Sequence, residues 1–132
     1  MEILEYENLT RYAFFPDVFA RVLLSGRNMT FFLIEIPAGK KVPPHRHPHE
    51  QMGICLAGQA EFVCGSVRKK VSKGVVYKVE SNEEHEVIML GSESGLFLDV
   101  FSPPRLQYLS MQKSFENQEL DKSQPYVTST RA

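Results

Sequence analysis

The chain has 132 residues, enough for one domain with a real core and too few for two ordinary ones. Its formal net charge of −1 gives no global pull toward nucleic acid or an anionic membrane. No apolar run approaches the roughly 18 residues of a membrane span, so neither partner is expected.

The first residues, MEILEYENL, are acidic and lack a charged-then-apolar leader pattern, which makes the cytoplasm the expected location. From residue 18 onward, short β-rich runs recur between turn signals. VFARVLLS (18–25) is followed by Gly26–Arg27–Asn28, and MTFFLIEI (29–36) by Pro37–Ala38–Gly39. QMGICL, AEFVC, VRKKV, VVYKV, HEVIML and LFLDVF come next, punctuated by Gly58, Gly65, Gly74, Ser81–Asn82 and Gly91 to Gly95. Eight or more strands at this spacing predict an all-β sandwich or barrel. FFLI and LFLDVF are apolar on both faces, as in two sheets closed into a jelly roll, where one face lines a pocket and the other meets core or a partner subunit.

From the turn after the second run to the turn after the third, residues 39–58 read GKKVPPHRHPHEQMGICLAG. On a strand, His45 and His47 would share a face with α-carbons roughly 6.6 Å apart, close enough to converge on one divalent cation. His49 has the same parity but would lie roughly 13 Å from His45 unless the chain bends, and Pro48 makes a bend plausible there. Ala57–Gly58–Gln59 has hairpin composition; pairing Leu56 with Gln59 would set Cys55 against Ala60 and keep it from Cys64. Both cysteines are therefore expected as buried, reduced thiols. Arg68, Lys69, Lys70 and Lys73 form a basic cluster best read as a solvated strand edge protected by charge. After Pro103–Pro104, LQYLSMQKSF could form a short helix covering a barrel end through Leu106, Leu109 and Phe115. Composition divides the chain into a barrel domain, residues 1–111, and a polar C-terminal tail, 112–132.

Gly39, His45, His47, Gln51 and Gly58, with their intervening spacings, resemble the first cupin motif with Gln in place of its usual Glu. Gly74 and His85 resemble the start and the metal-binding histidine of a worn second motif, in which Glu80, Asn82 and Met89 replace the usual Pro, Gly and Asn. The resemblance implies a single-domain cupin, a double-stranded β-helix, holding one divalent transition metal ion through His45, His47, Gln51 and His85. Such nitrogen-rich ligation suits Zn, Ni, Fe, Mn or Cu. Three imidazoles and an amide are all neutral, so the full 2+ charge is left to attract an anionic guest. His49 and Glu50 fall between ligand positions and are expected to orient the loop or hydrogen-bond a ligand imidazole.

In LFLDVFSPPR, Asp99 and Phe101 share a face and Arg105 emerges after the stiff Pro103–Pro104 pair. A carboxyl in an apolar strand is a candidate acid/base with a raised pKa, and Arg suits a bidentate grip on a carboxylate. An Asp99–Arg105 salt bridge closing the barrel mouth is an equal alternative on the residues alone. HPHEQ, a distal His85 and DVFSPPR together are similar to the pectin-degradation cupins that open 4,5-unsaturated uronates into linear keto-uronates. That resemblance implies that Asp99, Phe101 and Arg105 act on a small sugar-acid substrate. A non-haem iron dioxygenase and a non-catalytic small-acid or sugar-binding cupin are the alternatives. Many cupins pair through exposed strand edges and apolar outer faces, so the resemblance also implies a homodimer.

Overall fold

In the computed structural model, residues 1–120 are described and form ten strands and one long helix. The strands are β1 (Tyr12–Phe15), β2 (Val18–Ser25), β3 (Thr30–Ile36), β4 (Lys41–His45), β5 (Glu50–Ala57), β6 (Gln59–Cys64), β7 (Val67–Ser72), β8 (Val76–Val79), β9 (His85–Leu90) and β10 (Gly95–Ser102). They build a six-stranded sheet in the order β1-β2-β3-β10-β5-β8 and a four-stranded sheet in the order β4-β9-β6-β7, every pair antiparallel. The predicted all-β jelly roll is thus present.

β10 explains why the core forms where it does. Its residues alternate, with Gly95, Phe97, Asp99 and Phe101 buried and Leu96, Leu98 and Val100 half-buried on the outer face. Flanked by β3 and β5, it aims Phe97 and Phe101 into a core shared with Tyr12, Phe32 and Ile36. Burying each such side chain stabilises the fold by about 1.5–3 kcal/mol. The inward column carries Asp99 with it, directly opposite Phe32 on β3 and Gly53 on β5.

The chain departs from the sequence reading in three places. β5 and β6 do not form a hairpin, because they lie in different sheets and Ala57–Gly58–Gln59 is a crossover. Gly58 has φ +86°, and a Cβ there would come within 2.7 Å of the Ser94 carbonyl oxygen, so the crossing needs a residue without a side chain. His45 and His47 do not share a strand either: Pro43 and Pro44 supply no N–H, the β4–β9 register slips between Val42 and His45, and β4 stops at His45. Both cysteines are free, Cys55 buried and Cys64 half-buried. The basic cluster falls on β7 and the turn after it, and β7 is an edge strand with Arg68, Lys69 and Lys70 exposed.

The third departure is the helix α1, which spans Leu106–Leu120 and so passes through Gln112, where composition turns polar. Leu109 and Phe115 pack against the core as expected, but Leu106 is 67% exposed and anchors nothing. Tyr108 does its work, stacking on Phe32 with ring centroids 5.0 Å apart. Gln112 is buried: its Oε1 accepts from the Val22 N–H at 2.9 Å and its Nε2 donates to the Thr10 carbonyl at 2.6 Å. A polar residue can therefore be structural when it satisfies backbone groups that strands leave open. The rest of the polar tail, 121–132, lies outside the described residues.

Removing the Gln112 amide leaves a buried donor and acceptor unmatched. Gln112→Ala is expected to lower unfolding stability by about 2–3 kcal/mol with an unchanged slope in urea, measured by equilibrium denaturation.

Candidate metal centre

Three imidazoles converge in the sandwich. His45 closes β4, His85 opens β9 directly opposite it, and His47 lies in the loop between β4 and β5. One ring nitrogen from each falls within 4.8 Å of the others. The loop is fixed by its opposite number: the Asn82 N–H donates to the His47 carbonyl at 2.7 Å and the Ser81 hydroxyl to the Pro48 carbonyl at 2.6 Å. Asn82 has φ +62°, a left-handed conformation that Asn tolerates better than most residues, which explains how it stands in for glycine.

Each imidazole is oriented the same way. Nδ1 of His45, His47 and His85 lies 2.9, 2.9 and 2.8 Å from the carbonyl oxygens of Pro43, His49 and Glu83. A carbonyl only accepts, so each Nδ1 carries the proton and each Nε2 presents a lone pair. Burial lowers all three pKa values, that of His47 to about 4, so the rings are neutral at pH 7. His49 contributes its backbone carbonyl to this arrangement, while Glu50 is exposed.

Gln51 supplies the observation that tests the fit of a cation. Its side-chain amide donates to Asp99, which turns Oε1 toward His47 Nε2 at 3.1 Å. Both of these atoms are acceptors, and two lone pairs at that distance repel unless a cation lies between them. Three imidazole nitrogens and a carboxamide oxygen are a suitable donor set for a divalent transition metal, and His45, His47, His85 and Gln51 would hold it.

Asp99 sits beside this set and is 4% exposed. Desolvation raises its pKa to about 6, against the pull of donors from Tyr77 and Gln51. The Tyr77 hydroxyl donates to Asp99 Oδ1 at 2.6 Å. Gly53 makes room for this pair: a Cβ there would land on Asp99 Oδ1 and within 2.6 Å of the Tyr77 hydroxyl. Glycine inside a strand signals such close approach, so Gly53 was readable in principle, whereas nothing around Tyr77 marked it.

Arg105 is also buried, with its Cζ 4.0 Å from the Tyr108 ring centroid and 4.8 Å from that of Phe101. No ion pair joins it to Asp99 among the described residues. Its Nε and Nη1 are buried without a hydrogen-bond partner, and the side chain lines the same cavity as the three histidines, Gln51 and Asp99. Phe101 packs edge-on against His47, centroids 5.4 Å apart. At the rim, Glu84 pairs with Arg46 at 3.1 Å, which offsets its charge near the mouth.

A family model described as a cupin domain matches residues 32–101. Over 102 residues the chain is 30% identical to H2HPP isomerase of Bacillus subtilis, a match covering 70% of this chain and 43% of that protein, so the chain spans less than half of that relative. It is 34% identical over 90 residues to the pectin degradation protein KdgF of Dickeya dadantii (strain 3937), covering 67% of this chain and 81% of that one. The solved structure of KdgF from Halomonas sp. is similar in fold, with a TM-score of 0.68 at 20% identity over 74% of this chain and 90% of the other.

Two outcomes follow from this geometry. His45→Ala or His85→Ala is expected to abolish stoichiometric binding of Co(II) or Zn(II) in calorimetric titration, and Gln51→Ala to weaken it. Asp99 has a folded pKa of about 6 against 3.8 unfolded, so its contribution is fully present below pH 3.8 and is lost as pH rises through about 6. Metal-free wild type should therefore lose on the order of 3 kcal/mol relative to Asp99→Asn between pH 4 and pH 7, read from urea denaturation across that range.

Proposed function

The chain belongs to the cupin family, and on that footing we propose that it is a metal-dependent enzyme acting on a small unsaturated carboxylate, opening 4,5-unsaturated uronates to linear keto-uronates. The observation that carries this reading is Arg105, whose buried, unpartnered N–H groups face the same cavity as a carboxyl with a pKa of about 6. A buried guanidinium with open donors is matched by an anionic guest, and a carboxylate satisfies two of them at once. The relative named a pectin degradation protein supports a uronate as that guest.

In this scheme Arg105 grips the substrate carboxylate and fixes the C4=C5 enol ether beside Asp99. Phe101 and Tyr108 wall the cavity and limit the entry of water. A bound divalent cation would supply Lewis acidity and stabilise negative charge on substrate oxygens. Asp99, half protonated near pH 6, delivers a proton to C4 while water adds at C5. The water returns its proton to Asp99, and the hemiketal so formed opens by breaking the C5–O ring bond, its hydroxyl proton passing to the ring oxygen, which leaves a ketone at C5 and a hydroxyl on C1. Tyr77 holds Asp99 in place throughout by its 2.6 Å hydrogen bond.

A second reading keeps the proton transfer and changes the acid. Phe32, Phe62, Phe97, Phe101 and Tyr108 give the cavity apolar walls, which suit a carboxylate with a less hydroxylated body, and one relative is named an isomerase. The two readings separate in a direct assay. Purified, metal-loaded protein is expected to accelerate the anaerobic loss of alkene absorbance of unsaturated galacturonate or mannuronate, and no acceleration over buffer would sink the uronate reading. A requirement for oxygen would point to a dioxygenase. Asp99→Asn is expected to lower kcat by about 10²–10⁴-fold, and Arg105→Ala to act mainly through KM.

A further inference from the structure

The sandwich is open along one side. β7 ends the four-stranded sheet and β8 the six-stranded one, and the chain passes from one to the other through residues 73–75, so no ladder joins the two strands. Between them runs a groove of about 300 Å³ whose walls include Val67, Lys69, Lys70 and Val76. Val67 is 51% exposed and Val76 71%, so the groove faces water. The cavity among the histidines holds about 30 Å³, room for a water or two and far too little for a sugar acid. A guest of that size needs a wall that can move. Phe62 and Tyr77 alone line both spaces, with ring centroids 4.6 Å apart. The 2.6 Å hydrogen bond to Asp99 pins Tyr77, whereas Phe62 has no polar anchor and meets Phe97 only as ring against ring, centroids 5.9 Å apart. Turning the Phe62 ring into the groove would join the two spaces beside Asp99.

We propose that this groove is a second binding site for the anionic guest, a basic vestibule from which a small carboxylate enters past Phe62; the identity of the guest rests on the reading of Asp99 and Arg105 given above. Lys69 is the residue that marks it. Lys69 stands directly opposite Phe62 in the β6–β7 register, and opposed residues of antiparallel strands project from the same face of their sheet. This lysine therefore belongs to the inner face, level with the ring that parts groove from cavity. Lys69, Lys70 and Lys73 are all exposed, and among the described residues none of them has an ion-pair partner. The histidine end offers an anion a worse approach. There Arg46 and Lys78 are tied to Glu84 and Glu80 at 3.1 and 2.8 Å, which leaves Glu50 and Glu83 exposed without a cation paired to either. Surplus negative charge at one opening and surplus positive charge at the other sort guests by sign before contact.

Binding tests the groove apart from the reaction. In the isotope-labelled full chain, galacturonate, which lacks the C4=C5 bond, is expected to shift the amide resonances of Lys69, Lys70, Tyr77 and Lys78 saturably, while neutral galactose leaves them in place. Lys69→Glu should abolish those shifts and keep the circular dichroism and Co(II) binding of wild type. In the uronate assay the same variant should lower kcat/KM by about 10-fold at low salt, and the gap should close as salt rises. A lysine that merely guards a strand edge against mispairing would do none of this. No shift at the groove, groove shifts that survive in Lys69→Glu, or a variant with wild-type kcat/KM at low salt overturns the vestibule and leaves the reaction standing. Groove shifts that Lys69→Glu abolishes, without turnover of either unsaturated uronate, support the carboxylate site and overturn the reaction instead.

Discussion

The site depends on which way one carboxamide points. Gln51 gives its N–H to Asp99 and thereby commits its oxygen to His47, so a single side chain couples the acid/base candidate to the imidazole cluster. Reversing it would set its oxygen against the Asp99 carboxylate, while the present orientation sets it against an imidazole lone pair. Either orientation opposes two acceptors when Asp99 is ionised, and only the second opposition is relieved by a cation. A Glu in the same place would add a negative charge next to Asp99 and raise the cost of ionising either carboxyl. Glutamine keeps the cluster uncharged and leaves the full charge of a bound ion available to a guest.

Arg105 completes this electrostatic arrangement from the opposite wall. It lowers the proton affinity of His45, His47 and His85 in addition to the burial that dominates each shift. Its own cost of burial is met by two aromatic faces, Tyr108 and Phe101, instead of by a carboxylate. A guanidinium held by rings keeps its Nε and Nη1 donors open, whereas one locked to Asp99 would have spent them. Burial raises the Asp99 pKa, and the same separation leaves only the neutral donors of Tyr77 and Gln51 to oppose that rise.

Much of this was legible in the sequence. Alternation in LFLDVF set Asp99 and Phe101 on one face, and the resemblance to the two cupin motifs pointed to His45, His47 and His85, whose ring nitrogens the fold brings together. What escaped was information that resides in pairs of elements. Tyr77 matters only because β8 lies beside β5 at the place where Gly53 removes a side chain. Gly58 read as a hairpin turn because composition reports a sharp change of direction and not the sheet to which the chain departs. Gln112 looked like the start of a solvated tail, since its value lies in two backbone groups about a hundred residues away in sequence, one on Val22 and one on Thr10.

The candidate ligand set is divided between the two layers of the sandwich. His45 and His85 belong to the four-stranded sheet, whereas Gln51 belongs to the six-stranded one, and the crossover at Gly58 is a separate covalent link between the same layers. An ion seated among them would act as a rivet through both layers, so its binding energy is also folding energy. Occupancy would then be readable as heat resistance, and a cell short of the metal would hold a looser barrel.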